Sequence, residues 1–247
     1  MLRVVNLAEP PAVGDIGPPG GVLVGVGDPN APESEYWLQR ATFTLTEDDV
    51  PDTRTIRVPS VSAALGDLSE RCQRWPRAAA VCDDVLRTID VSAPAYAGVI
   101  TESLAYSTLQ SGPEFKRWLV ERGPAVVPEI PDPVVITRTG DALDIRFNRP
   151  QRHNAFSTDE RAGLLEGLTV ALVDPGVTEV VLGGNGRSFC SGGDLAEFGT
   201  FDDPASAHLA RTRYSPALML DKLTRRLGPA CRAEVHGQVL GSGLEMA

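Results

Sequence analysis

"GRSFCSGGDLAEF" occupies residues 186–198 and follows the apolar run "VTEVVLGGNG" at 177–186. A run of this kind, ending in glycines, predicts a buried strand. The chain then turns, and Asp194 is placed to cap a following helix. At such a turn backbone N–H groups face outward without partners and can hold an anionic oxygen. Gly193 has no Cβ, so a ligand could approach its backbone closely. Taken alone, an ordinary strand-to-helix turn would look the same.

A second turn sharpens the first. "HGQVLGSGLEMA" at 236–247 again sets glycines between a strand and the start of a helix. Ser242 and Gly243 would present N–H groups at that helix N-terminus, and Glu245 falls on its first turn. Two N–H donors aimed at one point form an oxyanion hole, worth about 3 kcal/mol per donor to a developing negative charge. A nearby Glu can move protons, more readily if burial raises its pKa.

Working outward, "STDERAGLLEGLTVALVD" (157–174) predicts a helix opened by a capping box of Ser157 and Glu160. "VVITRTGDALDIRFN" (134–148) predicts two short strands around a hairpin at Thr139-Gly140-Asp141. "AHLARTRYSPALMLDKLTRRL" (207–227) reads as one long helix with Leu209, Leu218, Leu220 and Leu223 on its apolar positions. Strand-helix alternation of this kind indicates an α/β domain over residues 131–247. Ahead of it "GPAVVPEIPDP" (123–133) reads as a linker.

Residues 1–130 form an N-terminal extension of different character. Residues 1–58 are rich in Pro and Gly, with strand candidates in "GVLVGVG" and "ATFTLT". From residue 59 the extension is mainly helical. Val61, Ala64, Leu65, Leu68, Cys72 and Trp75 share an amphipathic face that Pro76 interrupts. Val81, Val85, Leu86 and Ile89 continue as a second helix. Two further helices break at Ser111-Gly112-Pro113, with Phe115 and Trp118 as core aromatics.

The chain has 247 residues, 42% hydrophobic, with Lys plus Arg at 23 against Asp plus Glu at 33, a net charge of −10. That balance argues against a general nucleic-acid binder, which needs a basic face. Four cysteines (Cys72, Cys82, Cys190, Cys231) lack CxxC spacing, and His153, His208 and His236 form no HxH or HExxH pattern. The expectation is reduced thiols in a cytoplasmic protein and no metal site. The N-terminus has no basic n-region followed by an apolar core, and no stretch approaches ~18 apolar residues, so neither signal peptide nor membrane span is expected.

Together, "FNRPQRHNAFS" (147–157), "GNGRSFCSGGDLAEF" (184–198) and "AEVHGQVLGSGLEMA" (233–247) resemble the crotonase superfamily, the enoyl-CoA hydratase/isomerase family. The resemblance covers about residues 133–247. It implies a ββα spiral, of which only the first half is present, and an acyl-CoA substrate with no separate cofactor. By motif position the thioester oxygen would lie between the N–H groups of Gly193 and Ser242, with Glu245 as the catalytic carboxylate. Arg152 lies where a basic residue approaches the CoA phosphates, or is a solvated loop arginine. Ser191 and Gly193 would offer backbone to the adenine and pantetheine parts. Asp194 suits a structural cap, Cys190 a small core residue, and His153 and His236 loop positions.

The family's sequences continue past the position of Ala247, supplying a second catalytic glutamate and C-terminal helices that support trimers or hexamers. The expectation is therefore either a fragment of a longer protein or a truncated one. Enoyl-CoA hydration is the leading expectation, followed by enoyl-CoA isomerisation. A helical extension ahead of such a core is similar in architecture to cofactor-independent aryl-acetyl-CoA dioxygenases, and a non-catalytic subunit is the remaining alternative.

Overall fold

A computed structural model describes residues 2–15, 20–90, 92–201 and 203–247. Part of the Pro/Gly-rich stretch of the N-terminus, residues 16–19, lies outside the described residues. The backbone divides into two compact units, residues 1–92 with 104–117, and residues 93–103 with 118–247. The division does not follow the linker at 123–133, because two helices belong partly to each unit.

In the first unit β1 (Arg3–Asn6), β2 (Leu23–Val26), β3 (Phe43–Thr46) and β4 (Thr55–Arg57) pair in that order into a parallel sheet. The two strand candidates thus become its central pair. One core holds Val5, Leu7 and Leu23 with Trp37 and Leu38 of α1 (Ser34–Arg40). Val22, Val24 and Leu45 form the other, against Val61, Ala64, Leu65 and Leu68 of α2 (Val61–Arg74). The Trp75-Pro76 break falls as read, since Pro cannot donate the helix-interior hydrogen bond, and α3 (Pro76–Arg87) opens with Pro76 in its first turn. Ser111-Gly112-Pro113 likewise separates α4 (Ala95–Ser111) from α5 (Pro113–Arg122).

In the second unit β5 (Val134–Thr139) and β6 (Ala142–Phe147) form the antiparallel hairpin. After α6 (Thr158–Val173), β7 (Glu179–Gly184) runs parallel to β6, and β8 (Cys231–Ala233) parallel to β7, giving sheet order β5-β6-β7-β8. Alternation along β6 buries Leu143, Ile145 and Phe147, whereas β7 is buried on nearly every residue, as expected of a strand between parallel neighbours. Leu164, Leu168 and Ala171 of α6 close over this face together with Phe189 and Leu223.

Apolar spacing predicts one helix over 207–227, and the structure differs. Residues 204–227 form α7 (Pro204–Arg213) and α8 (Pro216–Leu227), not a single helix. Pro216 cannot continue a helix but suits a first turn. Ser215 caps α8 by accepting from the Leu218 N–H. No helix among the described residues is long and apolar enough to cross a membrane.

Candidate active site

The site is built from the two glycine turns and the loop at 148–157. Phe189 N–H donates to His236 O, Cys190 N–H to Gln238 O, and Leu240 N–H back to Cys190 O. These bonds lay the segments 189–193 and 236–243 side by side. Gly192 has φ +92°, and a Cβ there would stand 3.0 Å from Leu240 O, so glycine is required. A Cβ on Gly243 would collide with the carbonyl oxygen of Cys190. Close packing of the turns therefore depends on missing side chains.

The backbone N–H groups of Gly193 and Ser242, the latter at the first residue of the short α9 (Ser242–Glu245), meet no acceptor among the described residues. The Ser242 hydroxyl is also buried without a partner. Around Gly193 the neighbouring groups are all engaged. Phe156 N–H donates to Gly192 O, Asp194 N–H to Phe156 O at 2.9 Å, and Ser191 N–H to His153 O at 3.0 Å. Of the two residues expected to offer backbone to CoA, Gly193 keeps its N–H, while that of Ser191 is committed to His153.

Asp194 is almost wholly buried. Burial alone would raise its carboxyl, but hydrogen bonds from Arg152, the Ala196 N–H and Arg149 outweigh that and hold it below the usual range. Arg152 is accordingly an ion-pair partner, at 2.8 Å from Asp194, with its side chain partly exposed. Arg149 is buried, donating to Asp194 Oδ2 at 2.9 Å, to Glu160 Oε2 at 3.3 Å and to Ala155 O. The capping box at Ser157 and Glu160 is present, but Glu160 is fully buried. Its desolvation pushes the carboxyl up to about 7 against the opposing Ser157 N–H and Arg149.

Asn154 organises the same loop. With φ +52° and no exposure, it accepts from Arg149 N–H and donates to the carbonyls of Asn185, Ser188 and Phe189. His153, φ +53°, shares a 2.9 Å hydrogen bond with Ser188 Oγ, and His236 sits 3.1 Å from Gly186 O. Both histidines are thus loop residues. Sequence reading missed Asn154, Arg149 and the burial of Glu160. The signal for Asn154 was its tolerance of left-handed backbone in a loop between a strand and a helix.

Glu245 remains open to solvent, yet surrounding protein removes enough water from its carboxyl to push it upward, and the charge of Glu102 adds to this. Cys190 is fully buried, and desolvation raises its thiol to about 11, which rules it out as a ready nucleophile. Among the described residues no group of three or more His, Cys, Asp or Glu could hold a metal ion.

Residues 138–247 match the family model of enoyl-CoA hydratase/isomerase. A Mycobacterium tuberculosis protein described as a probable enoyl-CoA hydratase, EchA14, is 33% identical over 117 residues, 47% of this chain and 44% of that protein. A Mycobacterium bovis protein described as a probable enoyl-CoA hydratase, EchA12, is 37% identical over 112 residues, 43% of this chain and 39% of that protein. A crystal structure of an enoyl-CoA hydratase/carnitine racemase from Magnetospirillum magneticum is 29% identical, with 47% of this chain and 43% of that one covered, at a TM-score of 0.40. The chain spans less than half the length of these relatives. Over residues 138–247, the chain is similar to the crotonase superfamily, in its enoyl-CoA hydratase/isomerase family.

Proposed function

We propose that this chain provides the thioester-holding part of an acyl-CoA enzyme, and that its reaction is the hydration of an enoyl-CoA. The observation that carries the reading is the pair of unengaged N–H groups, Gly193 and Ser242, on two turns bonded side by side. Both would donate to the thioester oxygen, which gains negative charge as the α-carbon becomes enolate-like. Preorganised donors stabilise such charge more than the neutral ground state.

Glu245 is the proton carrier in this reading. Its carboxylate takes a proton from water, whose oxygen bonds to the β-carbon while the double-bond electrons move to the enolate. The same proton then returns to the α-carbon, so water adds across the double bond and nothing is oxidised. A carboxyl raised above its usual value shares a proton more readily near neutral pH. CoA enters as part of the substrate, and no separate cofactor is invoked. Isomerisation uses the same hole with Glu245 moving a proton between two carbons of the substrate.

The test is turnover of crotonyl-CoA by the full chain, followed by loss of the enone absorbance. The reading expects hydration that Glu245→Gln slows by about 100-fold or more. No turnover of crotonyl-CoA, or a rate indifferent to Glu245→Gln, overturns it.

A further inference from the structure

The loop that follows Gly193 is fitted on one side to residues outside the segment matched by the family model. Arg122, in the last turn of α5, donates to Leu195 O at 2.6 Å and to Phe198 O at 3.1 Å. The same guanidinium lies 5.2 Å from the centre of the Trp118 ring. Trp118 in turn meets Phe198 at 6.0 Å between ring centres, tilted by 57°. Phe198 reaches back to the candidate oxyanion turn: a Cβ at Gly193 would stand 3.3 Å from Phe198 Cε1. One helical turn thus leads to Gly193 through a carbonyl clamp and a pair of rings.

A further contact in the same place shows that the fit is close. Gly199 has φ +86°, and a Cβ there would stand 2.9 Å from Leu119 Cδ2. The opposite side of the loop is fixed to α6, where Thr158 N–H donates to Glu197 Oε2 at 2.9 Å. The loop at 194–199 is therefore held between two helices. The α5 side bears on Gly193 through the Phe198 ring, while Phe156, ahead of α6, is hydrogen-bonded to the residues on either side of Gly193.

We infer that Arg122 and Trp118 are positioning residues for the thioester oxygen, acting through Phe198 to set the direction of the Gly193 N–H. This rests on the reading of Gly193 as an oxyanion donor. Neither residue touches the reacting atoms. Guanidinium donation to the Leu195 and Phe198 carbonyls fixes the loop's height, while the tilted contact of the Trp118 and Phe198 rings fixes its inclination. Displacement of a donor by about 1 Å costs on the order of 100-fold in a preorganised site, so a modest shift at Gly193 is enough to be read.

The probe is acetoacetyl-CoA, whose enolate absorbs in the near ultraviolet and forms when the thioester oxygen is held by donors. The full chain is titrated alongside Arg122→Gln, Arg122→Lys, Trp118→Leu and the surface control Arg225→Gln, with free CoA affinity and thermal unfolding measured for each. Arg122→Gln and Trp118→Leu are expected to lose the enolate band by about tenfold with unchanged affinity for free CoA. Arg122→Lys, retaining charge and a donor, recovers part of it, and Arg225→Gln changes nothing. If either first variant fails to fold, Trp118→Phe, which keeps a ring, carries the comparison. An undiminished band in both, or a loss of band matched by an equal loss of CoA affinity, overturns the inference. Absence of the band in the unmodified chain instead overturns the oxyanion reading on which it rests.

Discussion

Arg149 and Asp194 form an ion pair of 2.9 Å in which both side chains are almost wholly removed from water, 2% and 1% exposed. The pair joins the loop after β6 to the residue immediately following Gly193. Removing one partner of a buried pair leaves an uncompensated charge and costs about 3–5 kcal/mol. Asp194→Ala is expected to destabilise by that amount, seen as a lowered urea midpoint. A loss below about 1 kcal/mol would mean that the pair is solvated and does not hold the turn.

Glu160 predicts a pH dependence of stability. Its folded pKa of about 7 lies above the ordinary 4.5 because burial disfavours its charge. The folded state therefore binds the proton more tightly than the unfolded state. This group's contribution is fully present below pH 4.5 and is lost as pH rises to about 7. Glu160→Gln keeps the capping geometry but carries no charge. Relative to the unmodified chain, it is expected to gain at least about 1 kcal/mol between pH 5 and pH 8. Urea unfolding at the two pH values checks this, and a constant difference would show that Glu160 titrates normally.

The carbonyls of Asn185, Ser188 and Phe189 share one side-chain donor, Asn154. Asn154→Ala strips that donor and leaves a left-handed backbone without the residue that tolerates it. The expected loss is about 2–3 kcal/mol, measured by thermal or urea unfolding. Asn154→Gly, which relieves only the backbone, is expected to recover a fraction of it.

Cysteine reactivity separates buried from exposed thiols. Cys82 is exposed, whereas Cys190 is buried with a thiol raised to about 11. A thiol reagent at neutral pH is expected to modify Cys82 in the native protein and Cys190 only on unfolding. Peptide mapping after labelling reads the order. Early modification of Cys190 would contradict its place in the core.

What was legible in the sequence was local. The hairpin at Thr139-Gly140-Asp141, the capping box at Ser157 and the stop at Pro76 each depend on residues within a few positions. The break at Ser215-Pro216 carried an equally local signal, but leucine spacing runs on through it. The parallel sheet of the first unit was less visible. β4 is three residues long, and β1 buries one residue in four, so neither shows the alternation that marks a strand. The site's supports were hidden for another reason. Arg149 and Asp194 lie 45 positions apart, and charged residues ordinarily mark surface. Arg122 and Phe198, 76 positions apart, belong to segments whose composition gives no hint of contact.

The most direct test of the oxyanion account removes one donor and little else. Ser242 is the first residue of α9, a position where proline fits a helix and lacks only the N–H. Ser242→Pro and Ser242→Ala are compared for turnover of crotonyl-CoA and for affinity toward free CoA. The account predicts a loss of about 100- to 1,000-fold in turnover for Ser242→Pro. Ser242→Ala, which keeps the N–H and removes only the hydroxyl, stays near the unmodified rate. Equal rates for the two variants, with CoA affinity preserved, would contradict the claim that the Ser242 N–H holds the thioester oxygen.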